Sequence, residues 1–151
     1  MIKIITIGSI KEQYLRDAIE EYKKRISRYT NLEIIELKDE GLLEKEKTLN
    51  TEAEKIERYL DPKEYIIALE IEGKEYTSEE FAEKIRTIQI ENSHITFIIG
   101  GSYGLSQSIK DKARMHLSFS KMTFPHQLFR VLLLEQIYRS YKIINNESYH
   151  K

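Results

Sequence analysis

The residues best suited to do chemistry fall in two short stretches, Gly100-Gly101-Ser102-Tyr103-Gly104 and Ser118-Phe119-Ser120-Lys121-Met122-Thr123-Phe124-Pro125-His126. The first follows an apolar, β-branched run from Ile95 to Ile99. A glycine turn at the carboxyl end of such a strand is where open α/β sheets hold ligands. Glycine has no Cβ, so a flat ligand can lie against the backbone there. The second stretch brings hydroxyls, one Lys and one His, with few bulky charges. Together they read as two walls of one pocket. His126 sits where an apolar helix begins, with Arg130 one turn on. The chain ends in Tyr149-His150-Lys151, a stacking ring, a titratable group and a cation, which is what grasping an RNA base requires.

Other chemistries fit less well. Gly100-x-Ser102-x-Gly104 matches the nucleophile elbow in its strand–turn–helix setting. A triad would then need Glu135 or Glu147 with His150, and an acid three residues from the His lacks a separate scaffold position. There is no P-loop and no dinucleotide glycine fingerprint. The sequence has no Cys, so no thiolate nucleophile or thiolate metal site exists. His94, His116, His126 and His150 lack metal-ligand spacing, and no metal is expected.

The rest of the chain reads as alternating strands and helices. Ile2–Ile7 is apolar on both faces, as a buried parallel strand is. Leu15, Ala18, Ile19, Tyr22, Ile26 and Tyr29 form a helical stripe over 11–29. Strands follow at Leu32–Leu37, at Tyr65–Glu70 before a Gly73 turn, and at Ile95–Ile99. Between them lie a mobile charged loop over 38–48, a helix over 49–60 capped by Asn50 or Thr51, and a helix from Ser78 through Ile90. After a short helix and a short strand, Pro125 opens a last helix at its first position, running to near Tyr141 and apolar on more than one face. That girth favours a subunit interface. The architecture is α/β, one domain over 1–151, a mostly parallel sheet flanked by helices.

Composition agrees: 151 residues, 40% hydrophobic and 32% charged, describe a globular chain. No apolar run approaches ~20 residues and no signal peptide opens the chain, so a cytoplasmic protein without a membrane partner is expected. The net charge of −1 hides an asymmetry. Residues 101–151 hold eight Lys or Arg against three acids, which suggests a polyanionic partner on that face.

Four motifs in order, Ile99-Gly100-Gly101-Ser102-x-Gly104, Leu117-Ser118-x-Ser120-x-x-Thr123-x-Pro125-His126, Arg130-Val131-x-x-x-Glu135-Gln136-x-Tyr138-Arg139 and Tyr149-His150-Lys151, resemble the RlmH (YbeA) family along the whole chain. Those are small methyltransferases of the SPOUT class acting on N3 of a pseudouridine in large-subunit (23S) ribosomal RNA. The resemblance implies a C-terminal trefoil knot, a homodimer paired through it, and action on ribosomal RNA within the ribosome. It implies that Leu69, Gly100, Gly101 and the run Phe119, Ser120, Lys121, Met122, Thr123 and Phe124 contact S-adenosylmethionine. In the reaction so implied, His126 and His150 are the candidates for moving the N3 proton. Arg130 and Lys151 would hold phosphate or imide oxygens, and Tyr149 would stack on the base. The rival from another class is an RNA-binding module that keeps the fold without a donor site.

Overall fold

The computed structural model describes residues 1–40 and 44–151. Five strands, β1 (Ile2–Ile7), β2 (Leu32–Leu37), β3 (Tyr65–Glu75), β4 (Ile95–Ile99) and β5 (Met115–Ser118), form one sheet in the order β2-β1-β4-β3-β5. Every pairing is parallel. The helices are α1 (Gln13–Ile26), α2 (Lys45–Glu57), α3 (Ser78–Glu91), α4 (Gln107–Lys110) and α5 (His126–Ile144).

Alternation along the strands divides the core in two. Ile4, Ile67, Phe97 and Ile99 face the layer made by α1, α3 and α5, while Ile5, Ile7, Ile66 and Ile98 face α2 and α4. Because both faces are covered, the central strands β1 and β4 are almost wholly apolar, with Lys3, Thr6 and Thr96 their polar residues, whereas the edge strand β2 carries exposed Glu33 and Glu36. Helix α5 lies between α1 and α3 and buries Leu133, Leu134, Ile137, Tyr138 and Tyr141. Much of its apolar girth is therefore consumed inside one chain. What remains for another surface is Leu128, 39% exposed, with half-buried Val131 and Leu132 and the nearby Met122.

Several local expectations are corrected. The segment expected as a charged loop over 38–48 overlaps α2, which begins at Lys45; residues 41–43 of that segment lie outside the described residues. Asn50 and Thr51 are interior to α2, and its N-cap, Glu44, makes no side-chain cap bond. Helix α3 is capped by Thr77, whose hydroxyl accepts from Glu80 N–H while the Glu80 carboxylate accepts from Thr77 N–H. That reciprocal box satisfies two orphan donors. Pro125 is the N-cap of α5, with φ −57° and ψ 134°, rather than its first helical residue.

Gly73 is not a turn between elements but part of β3. Leu117 of β5 pairs with Leu69 and again with Lys74, so residues 70–73 bulge out of the ladder. A Cβ on Gly73 would lie 2.8 Å from the His116 carbonyl carbon and 2.9 Å from that of Leu117. Glycine is required because the bulge folds back onto the β5 backbone, and such a bulge re-aims the side chains beside it.

Candidate active site

The carboxyl ends of β3, β4 and β5 meet around a pocket of about 470 Å³. Register aligns them, with Ala68 opposite Ile98 and Leu69 opposite Leu117. Leu69, Gly100, Gly101, Phe119, Ser120, Met122, Thr123 and Phe124 all line it, as does His126. Two loops expected to be neighbours are thus the two walls of one cavity.

The first wall is a tight turn. Gly104 N–H donates to Gly101 C=O at 3.0 Å, and Gly104 has φ +77°. The backbone closes so far that a Cβ on Gly100 would stand 2.3 Å from Gly104 O. A Cβ on Gly101 would meet Ile7 at 3.1 Å and the Glu52 carboxylate at 3.3 Å. Glu52, 3% exposed, lies under the turn, and burial pushes its carboxyl up from the ordinary range. Gly100 is therefore needed for closure of the turn, and only through that closure for any ligand.

The second wall uses its hydroxyls on itself. Ser118 Oγ donates to Ser120 C=O, and Ser120 Oγ accepts from Met122 N–H at 3.0 Å. These are local turns that shape the loop. Phe129 holds its apolar side, meeting Phe119 edge-on at 4.9 Å and lying near-parallel to Phe124 at 6.2 Å. Phe129 also lines the pocket and escaped the sequence reading, although it sits one helical turn beyond His126. Also missed were Lys45, and the Glu70 and Lys110 pair beside the β3 bulge.

Lys121 does not line the cavity. It holds an exposed position between two lining residues.

Arg130 is corrected outright. It is 2% exposed, and its guanidinium donates to Glu36 Oε2 at 2.5 Å and to Thr6 Oγ1 and Gly8 C=O at 3.0 Å. It ties α5 to the ends of β1 and β2 and cannot reach phosphate from there. Arg130→Met is expected to lower unfolding free energy by about 3 kcal/mol, because Thr6 and Gly8 lose a buried donor while Glu36 can turn to water. Urea titration followed by circular dichroism measures it; a loss below about 1 kcal/mol would refute the tether.

The tail is ordered by its own chain. Tyr149 O–H donates to Glu135 at 2.8 Å, its ring meets Tyr138 edge-on at 4.9 Å, and the Arg139 guanidinium lies 4.8 Å over it. Burial and the Glu135 carboxylate push the Tyr149 phenol up to about 12. Arg139 donates to His150 Nδ1 at 3.0 Å, and His150 Nε2 bonds Glu79 at 2.6 Å. A guanidinium only donates, so Nδ1 accepts and Nε2 carries the hydrogen. None of Tyr149, His150 and Lys151 lines the pocket of its own chain.

The charge asymmetry largely cancels on folding. Lys110 pairs with Glu72 and Glu70, Lys112 with Glu57, Arg130 with Glu36, Arg139 with Glu135 and Lys142 with Glu147. Arg114 lies over Tyr65. Among the described residues that leaves Lys121 and Lys151 as the cations of 101–151 without a carboxylate or ring partner. The polyanion argument narrows from a whole face to these two positions.

Among the described residues no group of three or more His, Asp or Glu is arranged to hold a metal, and no helix is long and apolar enough to cross a membrane.

Residues 1–150 match the family model described as predicted SPOUT methyltransferase. The chain is 52% identical to the ribosomal RNA large subunit methyltransferase H of Clostridium beijerinckii, with 99% of each chain covered. It is equally similar, 52% with 99% of each covered, to the protein of that name from Streptococcus uberis. Among solved structures it resembles one described as a probable methylase family protein from Haemophilus influenzae Rd KW20, with a TM-score of 0.56 and 16% identity. That likeness covers 99% of this chain and 70% of the other, and it concerns the fold.

Proposed function

The chain belongs to the SPOUT methyltransferase family, and from that premise we propose that it methylates N3 of a pseudouridine in large-subunit (23S) ribosomal RNA, with S-adenosylmethionine as donor. The observation that carries this reading is the pocket between the β4 glycine turn and the loop over 119–125, in a chain half identical to large-subunit RNA methyltransferases throughout its length. The residues fit such a donor. About 470 Å³ suits a ligand of that size, apolar Leu69, Leu117 and Phe129 suit a purine, and the turn presents bare backbone.

When bound, S-adenosylmethionine supplies an electrophilic methyl group on a sulfonium sulfur. The chain's own work is alignment and proton removal, since an in-line displacement needs little else. His126, exposed at the pocket and at the start of α5, is the group suited to take the imide proton. Lys151 and Lys121, without carboxylate partners, suit RNA phosphates, and Tyr149 suits stacking on the base.

The protein works as a homodimer on the ribosome in this reading. Support comes from the tail, which stands clear of its own pocket, and from the apolar remainder of α5 at Leu128. In the same reading the C-terminal part of the chain is tied in a trefoil knot.

The test is methylation of ribosomes from a strain lacking the modification, with calorimetry on S-adenosylmethionine alongside. Donor binding and label at pseudouridine N3 are expected. RNA affinity without any heat of donor binding would favour the non-catalytic module instead.

A further inference from the structure

The β3 bulge places a charged residue in the pocket wall that the reaction, as described, leaves unused. Glu70 lines the cavity although its side chain is only 8% exposed. One carboxylate oxygen, Oε2, is engaged by His116 Nδ1. The other, Oε1, lies 3.7 Å from Lys110 Nζ, beyond hydrogen-bond distance, because that ammonium donates to Glu72 at 3.0 Å instead. Each carboxylate oxygen offers two acceptor positions, so most of Glu70's capacity is open. A nearly buried carboxylate with open lone pairs on a cavity wall costs desolvation that a hydrogen-bonding ligand would offset.

We propose that Glu70 accepts hydrogen bonds from the ribose diol of the donor's adenosine and so fixes how deep the nucleoside sits. The inference rests on the S-adenosylmethionine reading of this site. Three kinds of donor on that molecule could meet a carboxylate. The α-ammonium is disfavoured, since Lys110 already brings one ammonium to Glu70 and Lys45 adds another cation to the same lining. The purine and its exocyclic amine suit the apolar side at Leu69, Leu117 and Phe129. A pair of neutral hydroxyls is what remains, and it matches a carboxylate that keeps acceptor positions on both oxygens. The bulge supplies the geometry, because Gly73 lets residues 70–73 leave the ladder.

The test is calorimetry with S-adenosylhomocysteine, its 2′,3′-dideoxy analogue, its inosine analogue and its des-amino analogue. In the wild-type chain, losing the diol should weaken binding at least about tenfold, the scale of hydrogen bonds to a charged group. Glu70→Gln should weaken S-adenosylhomocysteine by a similar factor yet bind the dideoxy analogue as the wild type does. Glu75→Gln, an exposed carboxylate of the same strand that does not line the cavity, should change neither. If Glu70→Gln does not fold, Glu70→Asp, with its carboxylate one methylene further back, carries the same comparison. Equal weakening toward all analogues would make Glu70 a purely structural residue and overturn the proposal. So would a loss that disappears with the inosine or des-amino compound. A wild-type chain that binds no S-adenosylhomocysteine would remove the donor reading itself, and this proposal with it.

Discussion

Gly100→Val is expected to raise the dissociation constant for S-adenosylmethionine by more than about a hundredfold, or ~2.8 kcal/mol. The cause is backbone against backbone. A Cβ at residue 100 would fall 2.3 Å from Gly104 O and 2.5 Å from Gly104 C, and no rotamer relieves that. The turn must open, which breaks the Gly104-to-Gly101 hydrogen bond and moves one wall of the cavity. The damage stays local, because Gly100 follows β4 and the core residues Phe97 and Ile98 lie before it. Far-ultraviolet circular dichroism should therefore look unchanged while calorimetry with the donor goes flat. Binding at wild-type strength would mean that the glycine turn is not part of the donor site.

Ending the chain at Ser148 is expected to lower methyl transfer to ribosomes more than about tenfold, the loss of one positioning contact of ~1.4 kcal/mol in the transition state. Donor affinity should change little, since the proposed work of the tail is on the acceptor base and not on the donor. Stability should fall by only about 1–2 kcal/mol, from the Tyr149 ring and its bond to Glu135. Arg139 keeps Glu135 as a partner at 3.0 Å, so no buried charge is stranded. Because the tail serves the partner's pocket in the proposed dimer, mixing should rescue activity. Truncated subunits coexpressed with Gly100→Val subunits would pair one intact pocket with one intact tail. Tritiated methyl incorporation should then return, where each variant alone is nearly inactive. A truncated protein that methylates at full rate would reduce the tail to a docked end without a catalytic part. Failed rescue with both variants folded would place its action within one chain.

Some of this was legible in the order of residues alone. Period-two and period-3.6 patterns act over a few residues, so β1, β2 and β4 fell at Ile2–Ile7, Leu32–Leu37 and Ile95–Ile99 as read. The glycine turn and the hydroxyl-rich loop were readable as pocket walls because each follows a short apolar strand, and strands of a parallel sheet end on one side. Local rules failed where a distant partner decides. The start of α2 was misjudged because charged Lys45, Glu46 and Lys47 were read as loop composition, although Lys and Glu are good helix formers. Gly73 read as a turn because nothing in 65–75 reveals that β5 presses on it.

Residue order alone was enough for the α/β class, the positions of β1, β2 and β4, and the segments that could form a cavity. Tertiary structure decided what each polar residue does there. Arg130 looks like an RNA contact in a basic stretch, yet packing turns it inward to Glu36, Thr6 and Gly8. Glu70 looks like the last polar residue of a strand, yet a bulge turns it toward the cavity. The difference is physical. Apolar burial is non-directional and follows from local periodicity, whereas a charge is defined by the groups within ~4 Å of it, and in a folded chain those come from anywhere in the sequence.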